Sequence, residues 1–147
     1  MENQRVSMYQ HILFAVELGS RGTYFAAQKV KQLTDMCQAK LSLIHVVELP
    51  DIVYPGILYD EPSCIEHAKQ QLAEIGKKLN VATENQYVKV GQPKVIIPEI
   101  MKQLNIDLLI VGHHERKGIY RLLGSTAYAA LSHAQCDVLT IPYPSYS

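Results

Sequence analysis

Residues 107–114, Asp-Leu-Leu-Ile-Val-Gly-His-His, together with the later triplet Gly124-Ser125-Thr126, are the part of this chain best suited to chemistry. An apolar run ending at Gly112, a polar stretch and a glycine-led Ser-Thr pair read as a strand, a loop and a helix start. That order sets a row of free backbone N–H groups beside the carboxyl end of a strand, a place that suits an anion, most often a phosphate. Glycine lets the backbone come close, the helix start adds partial positive charge, and Ser125 and Thr126 add hydroxyl donors. Arg116, Lys117 and Arg121 fall in the same stretch and could neutralise phosphate charge. The spacing is not that of a Walker A loop, which needs a lysine directly after its second glycine. The plainer alternative stays open: Gly124 as a turn, Ser125 as an N-cap, and the basic residues as a solvated loop.

Other reactive residue types point elsewhere. His113 and His114 are adjacent, so in an extended segment they face opposite sides, and no metal site is expected. His45 lies inside an apolar run and reads as a hydrogen-bonded core residue. Cys37, Cys64 and Cys136 are odd in number, far apart and without a CxxC pair, which suits three reduced thiols. Nothing resembles a nucleophile elbow or a Ser-His-Asp or Cys-His arrangement, so no catalytic residue is assigned and the chain is read as a non-enzyme.

The elements that position these residues alternate between two periodicities. Residues 11–16 are a compact apolar run, as in a strand covered on both faces. Gly19, Ser20 and Gly22 break it before a helical stripe of Ala26, Val30, Leu33 and Cys37. Residues 40–47 form a second strand. The proline-containing stretch 49–62 reads as a loop carrying Tyr54 and Tyr59. Ser63 with Glu66 reads as a capping box ahead of a helix buried through Ala68, Leu72, Ile75 and Leu79. Residues 83–90 suggest a third strand near an edge. Pro93 suits a first helical position, with Ile96, Ile97, Ile100 and Leu104 as the buried face and Asn105 as the stop. Residues 107–111 are the fourth strand, and Ala127, Ala130, Leu131 and Ala134 mark a last helix with a narrow face. Val138, Leu139, Thr140 and Ile141 form the final strand, ended by Pro142. Strands alternating with helices predict an α/β fold: an open, doubly wound, mostly parallel sheet of five strands with helices on both faces. Its ligand site belongs outside the carboxyl ends of the strands, where Glu17, Val47, Gly91 and Gly112 begin the loops.

With 147 residues, 48% hydrophobic and 19% charged, the chain reads as one domain spanning residues 1–147, with tails at 1–8 and 143–147. A net charge of +0 gives no basic excess for a nucleic-acid partner. No apolar run approaches the roughly 20 residues of a membrane span, and the polar start carries no leader pattern, so a cytoplasmic location is expected.

Taken together, the segments 11–16, 42–47, 107–114, 124–126 and 136–142 make the chain similar to a universal stress protein over nearly all of residues 9–142. The Gly-His-His triplet resembles the UspA-type subgroup. This resemblance implies a Rossmann-like fold and a non-catalytic homodimer that pairs through Val138, Leu139, Thr140 and Ile141 and acts in stress response through unidentified protein partners. It also implies an alternative, a switch that binds ATP or AMP and hydrolyses ATP slowly if at all. Glu17, Val47, Val111, Gly112, Gly124, Ser125 and Thr126 would then line the nucleotide site, and ATP would be its only cofactor. Nucleotide-binding members carry Gly-x2-Gly-x9-Gly followed by Ser or Thr. Here Gly112 and Gly124-Ser125 match, Glu115 stands at the second glycine, and the loop is one residue short. Glu17 stands where the family usually has aspartate. A side chain at position 115 restricts the loop backbone, and its carboxylate would repel phosphate unless a divalent cation intervened. Ser125 and Thr126 are also the first candidates for phosphorylation, at a glycine-led helix start.

Overall fold

An unbroken apolar run is stable as a strand only when both faces are covered, and residues 11–16 meet that condition. The computed structural model describes residues 8–48, 61–114 and 136–143. In it this run forms β1 (His11–Ala15), with Ile12, Leu13 and Phe14 wholly buried. The chain continues through α1 (Arg21–Cys37), β2 (Lys40–Val47), α2 (Glu61–Leu79), β3 (Gln86–Val90), α3 (Pro93–Gln103), β4 (Leu108–His114) and β5 (Asp137–Tyr143). The five strands lie in the order β3-β2-β1-β4-β5, and every pairing is parallel. The strand order therefore reverses between β1 and β4, the switch point of an open doubly wound sheet.

Two cores follow from the two faces. On one, α1 and α2 pack over Ile12, Phe14, Leu43, Ile110, Ile141 and Tyr143. On the other, Ile97, Ile100 and Met101 of α3 cover Leu13, Ile44, Leu109 and Val111. The helices start and stop where local chemistry directs. Ser20 caps α1 by accepting from the Gly22 N–H at 3.1 Å. Pro93 opens α3, where its missing N–H costs nothing. Asn105 follows the end of α3 in the left-handed region, as asparagine tolerates. Ala68, Leu72, Ile75 and Leu79 form the buried stripe of α2 as expected. Gly76 leaves room in that helix for the Gln86 amide, which donates to the Val81 carbonyl at 3.1 Å.

The sequence misplaced several boundaries. Helix α2 begins at Glu61, two residues before Ser63, with Pro62 in its first turn, where a fixed φ is no obstacle. Residues 83–85 form a 3₁₀ turn, so β3 starts later than expected. Strand β4 does not end at Val111. It runs on to His114 and pairs Gly112 with Ile141, His113 with Pro142 and His114 with Tyr143. Strand β5 likewise passes through Pro142, because an edge strand can spare one ladder donor. Tyr143, read as the first tail residue, is the last residue of that strand. The expected loop with Tyr54 and Tyr59, the last helix with Ala127, Ala130, Leu131 and Ala134, and Tyr146 lie outside the described residues.

The amino end of the sheet is closed by polar contacts. The Asp107 carboxylate accepts from the Gln10 N–H at 2.7 Å and the His11 N–H at 3.0 Å, and the Asp107 N–H donates to the His11 carbonyl at 3.1 Å. Nδ1 of His11 lies 3.0 Å from the Leu104 carbonyl, and Nε2 lies 2.8 Å from the hydroxyl of fully buried Ser42. A carbonyl can only accept, so Nδ1 carries the proton and Nε2 accepts from Ser42. Burial, with Lys40 acting in the same direction, lowers the His11 pKa, against the opposing pull of the Leu104 carbonyl and Asp107.

Two outcomes are expected. Replacing Asp107 by Ala removes a charged acceptor from two backbone donors and should cost about 1–2 kcal/mol in urea unfolding, with Asp107→Asn between the two. The folded pKa of His11 lies below its unfolded value of about 6.5, so its neutral form contributes stability that is fully present above that pH. That contribution is lost as pH falls through the folded value. Unfolding free energies measured from pH 7.5 to 5 should fall less steeply for His11→Gln than for the wild type, and parallel slopes would remove His11 as a source of acid sensitivity.

Candidate functional site at the carboxyl edge of the sheet

Beyond Val16 the chain must turn sharply to enter α1, and Gly19, with φ at +80°, makes the turn. The turn is pinned from several sides. The Val16 N–H donates to the Ile44 carbonyl at 2.8 Å, and His45 Nδ1 donates to the Val16 carbonyl at 2.8 Å. The Thr23 hydroxyl reaches back to the Glu17 carbonyl. His45 is hydrogen-bonded as expected, but it is half-buried and stands at the margin of the core rather than within it. Glu17 is left exposed just beyond β1, beside a depression lined by Ser20, Arg21 and Thr23 and by Gln71 and Ile75 of α2. Val47 ends β2 half-buried, its carbonyl accepting from the Gly91 N–H at 3.0 Å.

The fourth strand brings Val111 and Gly112 to the same edge. Val111 is buried in the core beneath α3, so its side chain is structural and does not line an open site. Gly112 does not begin a loop, and it is not one of the two described glycines with positive φ. What it supplies is space. A Cβ on Gly112 would stand 2.1 Å from the Tyr143 ring and hydroxyl, and a Cβ on Gly22 would stand 2.2 Å from the same ring. The phenol of Tyr143 therefore lies between the first turn of α1 and the end of β4, and it is only 1% exposed. Burial pushes its pKa up, the Thr23 hydroxyl opposes this, and the Glu17 carboxylate adds to the rise. The tyrosine thus lies near enough to Glu17 to feel its charge.

Glu17, Val47 and Gly112 are brought together at one edge as expected. Gly124, Ser125, Thr126, Glu115 and the basic residues 116, 117 and 121 lie outside the described residues. Among the described residues no group of three or more His, Cys, Asp and Glu side chains is placed to hold a metal ion. Nδ1 of His113 is buried and has no hydrogen-bond partner among them. Cys136 is half-buried, and burial raises its thiol pKa, which favours the unreactive form. Sequence reasoning missed Tyr143, Gly22 and Thr23. The signal for Tyr143 was present: it continues the every-second-residue pattern of Leu139 and Ile141, and only the intervening Pro142 hid it.

The outer side of the sheet is equally informative. Strand β5 pairs with β4 alone, so its other edge is unpaired among the described residues. Val138 and Thr140 are half-buried, Ile141 is buried and Leu139 is 40% exposed. Among the described residues no helix is long and apolar enough to cross a membrane.

Both the sequence and the fold match known proteins. The profile of the universal stress protein family matches residues 8–142. The chain is 39% identical to universal stress protein A homolog 2 of Coxiella burnetii, over 90% of this chain and 94% of that one. Its structure resembles UspA from Lactobacillus plantarum, with a TM-score of 0.68 and 26% identity over 90% of this chain and 97% of that one. A universal stress protein solved in complex with cAMP superposes with a TM-score of 0.66 at 22% identity, covering 91% of this chain and 97% of that one. A five-stranded parallel sheet of this order, reversing between β1 and β4, defines a Rossmann-like α/β protein. This chain belongs to the universal stress protein family.

The packing of Tyr143 makes a direct prediction. Gly112→Ala and Gly22→Ala should each destabilise the protein by about 1–3 kcal/mol through overpacking. In a Tyr143→Ala background each should cost far less. Additive losses in that double-mutant cycle would show that the ring does not hold these positions.

Proposed function

We propose that this chain is a non-catalytic cytoplasmic homodimer of UspA type, joined through β5, which acts in stress response by engaging protein partners. The observation that carries this reading is the outer edge of β5. It is a seven-residue strand with exposed Leu139, Asp137 as its one charged residue and no guarding lysine. A long apolar edge of this kind pairs with another strand unless something blocks it. An isologous dimer satisfies the edge with its own copy and closes the assembly. The 39% identity to a protein named as a universal stress protein A homolog supports the subgroup.

A second reading, a nucleotide-dependent switch, is favoured by the convergence of Glu17, Val47 and Gly112 at the switch point and by a family structure solved with cAMP. ATP is the ligand expected there, with Gly124, Ser125 and Thr126, outside the described residues, assigned to it by the sequence pattern. The buried ring over Gly112 weighs against tight binding, which is why the first reading leads.

Sedimentation equilibrium should give a dimer for the wild type and a shift towards monomer for Leu139→Asp, because a charge at the pairing edge would face its own copy. A wild type that sediments as a monomer at tens of micromolar would end the dimer reading. Calorimetric titration with ATP, with and without magnesium, separates the two functions. Micromolar binding would make the chain a nucleotide-sensing switch, and no heat at millimolar ATP would leave the interaction protein.

A further inference from the structure

The carboxyl edge contains a bulky group where an anion site needs bare backbone. A glycine at the end of a central strand serves a phosphate by letting it approach the main chain. Gly112 has that bareness, but the chain's own phenol occupies it on the α1 side. The ring touches Gly22 on its other side and is 1% exposed, so no ligand can share the space. Its backbone pairs opposite His114 in the β4–β5 ladder, so the ring cannot leave by a simple shift of a tail. The hydroxyl end points towards Thr23 and Glu17, in the turn beyond β1.

We infer that Tyr143 is the specificity-determining residue of this edge, a fixed plug that closes the α1-side wall of the β1–β4 crevice and excludes a nucleotide from Gly112. The inference rests on the second reading above, in which this edge is the family's nucleotide site. It assigns the weakness of that site to a residue 31 positions from Gly112 in sequence (143 − 112), independent of the change at Glu115. Cutting the ring back leaves a slot shaped for a phenol between two glycines, and an apolar slot of that kind accepts a small aromatic molecule.

The test is titration of the full chain with magnesium-ATP in the wild type, Tyr143→Phe, Tyr143→Leu and Tyr143→Ala. Magnesium offsets the charge of Glu17 in every case. The wild type and Tyr143→Phe, which keeps the ring, should bind equally weakly. Tyr143→Leu and Tyr143→Ala should gain at least about tenfold in affinity. Phenol, the group this substitution removes, should raise the melting temperature of Tyr143→Ala but not of the wild type, and should compete with ATP. Cooperative melting of Tyr143→Leu confirms a folded comparison if Tyr143→Ala is too unstable. A folded leucine or alanine variant no better than the wild type, or a phenylalanine variant that gains as much as alanine, overturns the plug. Glu115→Gly separates the two failures. If that variant alone gains ATP binding while the Tyr143 variants do not, the edge is a nucleotide site and the plug is wrong. If neither change nor their combination gains binding although phenol fills the alanine slot, the nucleotide reading itself falls, and the plug with it.

Discussion

The fold depends on covering β1 from both sides. Ile12, Leu13 and Phe14 are wholly buried, and alternate residues point into different cores. Full burial of each such side chain stabilises by about 1.5–3 kcal/mol relative to exposure. The exposed pair Lys31–Asp35 in α1 contributes only a fraction of a kcal/mol by comparison. The constraint propagates outward. A strand buried on two faces needs helices above and below, parallel neighbours need crossovers to supply those helices, and right-handed crossovers then fix the order β3-β2-β1-β4-β5. The switch in strand order falls beside β1 as well, between β1 and β4.

The parts of the chain governed by periodicity are legible in the amino-acid sequence alone. The stripe Ala68, Leu72, Ile75 and Leu79 marks its helix, residues 40–47 mark β2 to the residue, and Pro93 marks the start of α3. What escapes are features decided by contacts between distant segments. Gly112 reads as the start of a phosphate loop because a glycine after an apolar strand usually provides freedom of φ. Here it provides room for the ring of Tyr143 on the neighbouring strand, wedged against Gly22 from the other end of the chain, and no pattern around Gly112 encodes that. Pro142 misleads in a similar way. Proline ends a central strand, but β5 is an edge strand and continues past it. Val111 is drawn to the site by its neighbours in sequence, although alternation along β4 turns it into the core beneath α3.

The two ends of the sheet show different strategies. At the amino end the stabilising groups are polar and fully engaged, with Asp107 holding the start of β1 and a neutral His11 bridging Leu104 and Ser42. At the carboxyl end the packing is apolar up to the rim, where Glu17 stands exposed near a buried phenol. A phosphate arriving there meets a negative charge and a filled wall, two penalties with separate origins. One is electrostatic and is relieved by a cation, whereas the other is steric and is not.

Strand β5 links this edge to the outer face. Its inward residues Ile141 and Tyr143 fasten it to the core under α1, and its ladder holds it to β4 along its whole length. A strand fixed from both sides has already lost the backbone freedom that pairing with a second copy would otherwise have to remove. The ring over Gly112 completes that fastening at the last residue of β5, where it also packs against Gly22 in the first turn of α1.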